Sequence, residues 1–130
     1  MQTFDFGPGP VPAHKHPNGG GWVANTAYVA PTAYVGPDAR VCGYARVCDN
    51  AQVFGRARVS GNAQVFGNAQ VSSNAEVYEN AMVFDNAQVF DNAHVYDDAW
   101  VFGDAQVFGD AQVFGDVRVS GCDKVSEDRY

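Results

Sequence analysis

Apolar residues fall on a six-residue beat through most of this 130-residue chain. Valine occupies every sixth position from Val23 to Val125, eighteen in register, and alanine stands two residues ahead of nearly every one. A typical unit runs Ala63, Gln64, Val65, Phe66, Gly67, Asn68. A helix needs apolar positions near 3.6 residues apart, which this beat does not supply. In an extended strand, residues two apart share a face, so Ala63 and Val65 point inward while Gln64 and Phe66 point out. The next two positions hold Gly, Asp, Asn or Ser, which tolerate the left-handed backbone region of a sharp corner. Each hexad is therefore predicted to be one short strand and one bend.

Equal strands joined by equal bends close most simply as a triangle, three hexads to a coil. Parallel strands stack about 4.8 Å apart, so eighteen hexads predict six coils and a prism on the order of 25–30 Å long. Valine and alanine suit a narrow bore that must be filled without voids. Outside the repeat the pattern changes. Residues 1–21 are rich in Pro and Gly and read as an irregular cap folded over the first coil, because an open solenoid end exposes strand edges and core. Residues 22–121 are the repeat. Toward its end the pattern decays: Val117 takes an alanine slot, Cys122 a corner slot and Asp123 the next alanine slot. Residues 122–130 thus read as a closing segment or frayed tail.

The alternation of an aliphatic residue with a small residue four positions later resembles the hexapeptide-repeat family, over about residues 23–121. That resemblance implies an all-β, left-handed parallel β-helix; general crossover rules alone favour the right hand. The variant seen in Val65, Phe66, Gly67, Asn68, Ala69, Gln70 is similar to that of uncharacterised bacterial and bacteriophage repeat proteins. One departure stands out: the slot after the aliphatic residue, often Gly in the family's enzymes, is here commonly Phe or Tyr. The family also packs into trimers about parallel prisms, which implies self-association as a dimer or trimer.

Stacking at three hexads per coil sorts the residues after each valine into three outward columns. The first holds Tyr78, Tyr96 and Phe114, the second Phe66, Phe84 and Phe102, the third Phe54, Phe90 and Phe108. The residues before each valine form further columns. Gln52, Gln70, Gln88 and Gln106 are expected beside the second as an amide ladder, Arg40, Arg58, Glu76, His94 and Gln112 beside the third, and Met82, Trp100 and Arg118 beside the first. Contiguous apolar surface usually marks an interface. Phe54, Phe66, Phe84, Phe90, Phe102, Phe108, Tyr78, Tyr96 and Trp100 are therefore the candidate interface residues. The bland alternative is that stacked rings simply shield one another.

Charge adds a second candidate surface. The net charge of −7 is unevenly placed: residues 1–70 carry five bases against three acids, residues 71–130 three bases against twelve acids. Glu79, Asp85, Asp91 and Asp97 fill first bend slots, and Asp98, Asp104, Asp110 and Asp116 second ones. They read either as bend formers or as a surface for a basic protein partner, for instance a host protein. An acidic half is a poor grip for a nucleic-acid backbone, so no direct nucleic-acid partner is expected. No apolar run is long enough for a membrane span. The start of the chain lacks a secretory leader's pattern, and Cys42, Cys48 and Cys122 show no metal spacing, so the cytoplasm is the expected location, the host's if the protein is phage-encoded.

Catalysis finds little support. The family's acyltransferases need a histidine base and a loop shaping a cofactor cleft. Here His94 is the only repeat histidine and no insertion breaks the hexads. Three zinc histidines, as in the family's carbonic-anhydrase branch, are not available. His14 and His16 sit in Pro/Gly context with no third ligand. No cofactor, metal or catalytic residue is assigned. The expected role is a non-catalytic interaction protein, one version being a phage-encoded inhibitor of a host defence or nucleic-acid enzyme. The alternatives are a fibre or shaft element and an acyltransferase-like enzyme.

Overall fold

A computed structural model describes residues 2–130, and its backbone pairing follows the six-residue beat. Among these residues there are twenty strands and no helix. Two longer strands come first, β1 (Thr3–Asp5) and β2 (Pro10–Lys15), followed by β3 (Trp22–Ala24). The first face is one sheet in the order β1, β2, β3, β6 (Arg40–Val41), β9 (Arg58–Val59), β12 (Glu76–Val77), β15 (His94–Val95), β18 (Gln112–Val113). The second stacks β4 (Tyr28–Val29), β7 (Arg46–Val47), β10 (Gln64–Val65), β13 (Met82–Val83), β16 (Trp100–Val101) and β19 (Arg118–Val119). The third stacks β5 (Tyr34–Val35), β8 (Gln52–Val53), β11 (Gln70–Val71), β14 (Gln88–Val89), β17 (Gln106–Val107) and β20 (Lys124–Val125). Partners lie one coil apart and in parallel, as Gln70 opposite Gln88 and Val71 opposite Val89. The molecule is an all-β solenoid of about six coils.

The beat residues form one continuous core. Every beat valine from Val35 to Val113 and every alanine from Ala45 to Ala111 is fully buried. Burying a valine side chain is worth about 1.5–3 kcal/mol, and here each meets its counterparts one coil above and below. Corners are made as the composition predicts. The first bend residue has positive φ whether it is Gly67 (68°) or Asp85 (59°). The turn closes with Ala87 N–H donating to Phe84 O at 3.3 Å, and coils are joined at the corner by bonds such as Asn74 N–H to Asp91 O at 2.8 Å.

The first 21 residues depart from the irregular cap expected of them. β1 and β2 pair antiparallel, with Phe4 opposite Val11, and β2 pairs antiparallel with β3, with His14 opposite Val23. The hairpin turn is held by Asp5 Oδ1, which accepts from Gly7 N–H at 2.8 Å and Gly9 N–H at 3.0 Å. Pro10 and Pro12 lie in the half of β2 that faces β1 but has no register partner in β3, so their missing N–H groups interrupt no ladder. Tertiary pairing with the open edge of β3 outweighs the local Pro/Gly signal. Residues 16–21 then cover the edge of β5: Ala33 O accepts from His16 Nε2 at 2.8 Å and Asn18 Nδ2 at 3.1 Å, Val35 N–H donates to Asn18 O at 3.1 Å, and Gly21 N–H donates to Val35 O at 3.0 Å.

At the other end, β20 continues the third sheet and residues 126–130 turn back over β18. Phe114 N–H donates to Arg129 O at 3.0 Å, Arg129 N–H to Gln112 O at 2.8 Å, and Gln112 N–H to Asp128 Oδ1 at 3.0 Å. The tail is therefore a closing segment, hydrogen-bonded to the last coil of the first face.

Candidate interaction surface

The three faces differ in what covers them, and the column neighbours expected from sequence need correction. Residues before and after an inward valine lie on one strand and point the same way. The glutamines therefore flank the Phe54, Phe90 and Phe108 column on the third face. Met82 and Trp100 flank Phe66, Phe84 and Phe102 on the second, while Arg40, Arg58, Glu76 and His94 flank Tyr78 and Tyr96 on the first. The expected arrangement matched residues across a corner.

The first face is covered by the chain's own ends. Phe6, Ala13 and Ala24 form a small second core, with Phe4, Trp22 and Cys42 packed against it. Small residues Ala24, Cys42 and Ser60 at the start of this column leave space beside which the hairpin sits. At the far end Tyr78, Tyr96 and Phe114 stack at 4.9 and 5.2 Å, and Tyr130 from the tail continues the stack at 5.2 Å. Tyr78 Oη and Tyr96 Oη reach His94 Nδ1 at 3.4 Å and Gln112 Oε1 at 3.0 Å. His94 is thus engaged by a neighbouring phenol.

The second face carries the longest phenylalanine ladder. Phe66, Phe84 and Phe102 stack at 4.9 and 5.0 Å with ring planes within 2° of parallel. Trp100 meets Phe84 edge-on at 5.9 Å, and the Arg118 guanidinium lies over the indole at 4.2 Å. Arg118 Nη1 also donates to Asp116 O at 2.9 Å and Asp98 O at 3.1 Å, which fixes the planar group over the ring. On the third face Phe90 and Phe108 stack at 5.3 Å, whereas Ser72 separates them from Phe54. All nine candidate aromatics are half-buried: each ring shields its neighbour and leaves its outer edge to solvent.

The first-slot acids have a defined structural task. Asp49, Asp85, Asp91 and Asp97 each direct Oδ2 at a backbone N–H one coil on, those of Gly67, Gly103, Gly109 and Gly115, at 3.0–3.2 Å. In the second slots Asn74 Nδ2 donates to Asn92 Oδ1 and Asn92 Nδ2 to Asp110 Oδ1, both at 3.3 Å. The amide ladder thus runs along the corner asparagines. Asp98, Asp104 and Asp116 are exposed second-slot residues.

One corner concentrates carboxylates, bringing Glu79, Asp97, Asp98 and Asp116 onto consecutive coils. Desolvation, a hydrogen bond with Asp97 and repulsion from Asp97 and Asp98 raise the Glu79 pKa. The folded state therefore holds that proton more tightly than the unfolded chain. The penalty of ionisation is complete above the folded-state value and vanishes below the unfolded carboxyl range. Glu79→Gln is expected to raise Tm slightly near pH 7 and to leave it unchanged near about pH 3, checked by thermal denaturation at both. An equal gain at both pH values would assign the effect to packing.

The two N-terminal histidines are hydrogen-bonded within the fold. His14 Nδ1 lies 2.7 Å from Asn25 Oδ1, and His16 is buried against Ala33 O. No metal-holding group of three ligands exists among the described residues. Burial raises the Cys42 thiol pKa despite the opposing pull of Arg58 and Arg40.

A family model described as the YdcK beta solenoid repeat matches residues 51–67, just under one coil. Together with the stacked parallel coils, this settles the class. The chain is a β-solenoid repeat protein. No curated protein and no solved structure matches it. Among the described residues no helix is long and apolar enough to cross a membrane.

Proposed function

We propose that this solenoid is a non-catalytic interaction protein of the left-handed hexapeptide-repeat type, which self-associates through its second face. The carrying observation is the asymmetry of cover. The chain's own hairpin and tail occupy the first face, while the Phe66, Phe84 and Phe102 ladder with Trp100 has no such cover. Parallel rings at about 5 Å make a flat, rigid apolar strip whose side chains are already ordered, so little conformational entropy is lost when a partner docks. Asp104 and Asp116, exposed on the two corners that border this face, supply charge for a basic partner. A phage-encoded inhibitor of a host enzyme, working in the host cytoplasm, is the concrete version of that reading.

The fibre reading is less well supported. The β3 and β5 edges of the first coil and the β18 edge of the last are hydrogen-bonded to the chain's own segments, which leaves a poor template for end-to-end growth. The acyltransferase reading rests on His94 alone, and its Nδ1 already faces Tyr78 Oη.

Mass measurement by light scattering tests the proposal. The wild type is expected to run as a discrete dimer or trimer at about 10–100 μM, a range that suits interfaces of micromolar affinity. Phe102→Asp is expected to shift it to monomer with an unchanged far-ultraviolet circular dichroism spectrum, because Phe102 points outward. Ser120→Asp, at the end of the same column, is the control. A monomeric wild type, or an assembly untouched by Phe102→Asp, would overturn the proposal.

A further inference from the structure

We propose that the N-terminal part of the first face binds a compact multivalent anion of the phosphate class, held by Arg40, Arg56 and Arg58. These residues, with Phe4, Trp22 and Asp38, line a groove of about 410 Å³. The register places Trp22 opposite Arg40 and Arg40 opposite Arg58. Two guanidinium-bearing strands are therefore direct neighbours, about 4.8 Å apart, and Arg56 joins them from the adjoining corner.

Like charges directly opposite one another weaken a ladder, and the repeat does not require them. In the equivalent slots of the third face stand Gln52, Gln70, Gln88 and Gln106. Acids outnumber bases fifteen to eight in the chain, yet Asp38 is the sole carboxylate lining the groove. Glu76 faces Arg58 from the far side, across β9 and β12. Of the arginines, Arg118 donates hydrogen bonds to backbone carbonyls. Arg40, Arg56 and Arg58 all line the groove. Arg58 and Arg40 also act on the neighbouring Cys42 thiol, where they oppose the effect of burial.

The hairpin holds part of this site in place. Arg40 lies over the Phe4 ring at 5.0 Å, and Phe4 is stacked on Trp22 at 5.0 Å. A guanidinium anchored this way keeps its planar donors available for bidentate bonds to a phosphate. Both faces of Phe4 are occupied, so the ring offers no platform for a nucleobase. Charge is the feature recognised, and a free pyrophosphate and the diphosphate of a nucleotide share that chemistry.

Calorimetric titration with pyrophosphate and with a nucleoside diphosphate tests the site. The wild type is expected to bind one equivalent of either, more weakly as salt is raised. Similar affinities would show recognition of the diphosphate alone; tighter nucleotide binding would add a contact from the nucleoside while keeping the same site. The double variant Arg40→Gln, Arg58→Gln carries residues the repeat already uses in that slot, so it is expected to fold, with circular dichroism as the check. Its affinity is expected to fall at least about tenfold, the size of one lost charge-assisted hydrogen bond. Arg118→Gln, at the opposite end, is expected to bind like the wild type. No heat of binding by the wild type at millimolar pyrophosphate, or equal binding by the wild type and the double variant, would overturn the inference.

Discussion

Val71→Asp is expected to remove most or all of the cooperative unfolding transition. Val71 has no solvent exposure and lies in β11, between β8 and β14 in the middle of the third face. Nothing polar lines the bore at that level, where its neighbours are valine and alanine. The substitution forfeits about 1.5–3 kcal/mol of valine burial and places a carboxyl group where no partner can reach it, a further loss of several kcal/mol. The sum rivals the 5–15 kcal/mol by which a typical domain is stable. A solenoid also depends on contacts between adjacent coils, so the damage separates the coils before β11 from those after it. Thermal denaturation followed by circular dichroism should show Tm lower by about 12 °C or more, or no transition. Ser72→Asp, one residue on but pointing outward, is expected to stay within about 0.5 kcal/mol of wild type. Near-equal Tm values for Val71→Asp and wild type would mean that the wall can open at a single strand.

The reason this contrast can be stated residue by residue is that the beat is visible in the chain itself. Val71 and Ser72 differ in face because side chains alternate along a strand, and the bore admits valine and alanine on that rule alone. Corner chemistry was equally legible in kind, since Gly67 and Asp85 share one slot and one backbone conformation. Its detail needed coordinates. The carboxylate bond from one coil to the next leaves a trace in sequence, an Asp followed eighteen residues later by Gly at Asp85 and Gly103, Asp91 and Gly109, and Asp97 and Gly115. That offset has meaning only once coils are known to stack in register.

Two features were less accessible. Neighbours on a face are hard to read from sequence because Gln70 is close in the chain to both Phe66 and Ser72, and only the strand's path tells which lies around a corner. The hairpin was hidden by composition. Gly7, Pro8, Gly9 and Pro10 encode a turn locally, while the pairing of Ala13 to Lys15 with β3 is a tertiary contact that no local pattern reports. One signal did exist: Ala24, Cys42 and Ser60 are small where later members of their column are Tyr78, Tyr96 and Phe114. A column that begins without rings leaves space for another part of the chain.

Gly21→Val is expected to detach the N-terminal cap while leaving the coils beyond it folded. Gly21 is buried, and a Cβ there would lie 2.3 Å from Gly36 O and 2.4 Å from Val35 Cγ1. One neighbour is backbone and the other belongs to the wall, so neither can yield without opening the first coil. The loop must leave instead, and with it go the bonds from His16, Asn18 and Gly21 to Ala33 and Val35. β5 then presents unpaired N–H and C=O groups, the template that capping segments exist to hide. Rapid proteolysis confined to residues 1–21, a Tm lower by several degrees and particle mass rising with concentration are the expected results, read by limited digestion, circular dichroism and light scattering. Gly20→Asn separates this effect from mere loop strain: Gly20 has φ of 82° but nothing within 4 Å of an added Cβ, and Asn accepts that region for about 1 kcal/mol or less. Digestion of Gly21→Val no faster than that of Gly20→Asn would show that the cap is held by the hairpin alone, with β1 and β2 gripping β3 independently of the loop that follows them.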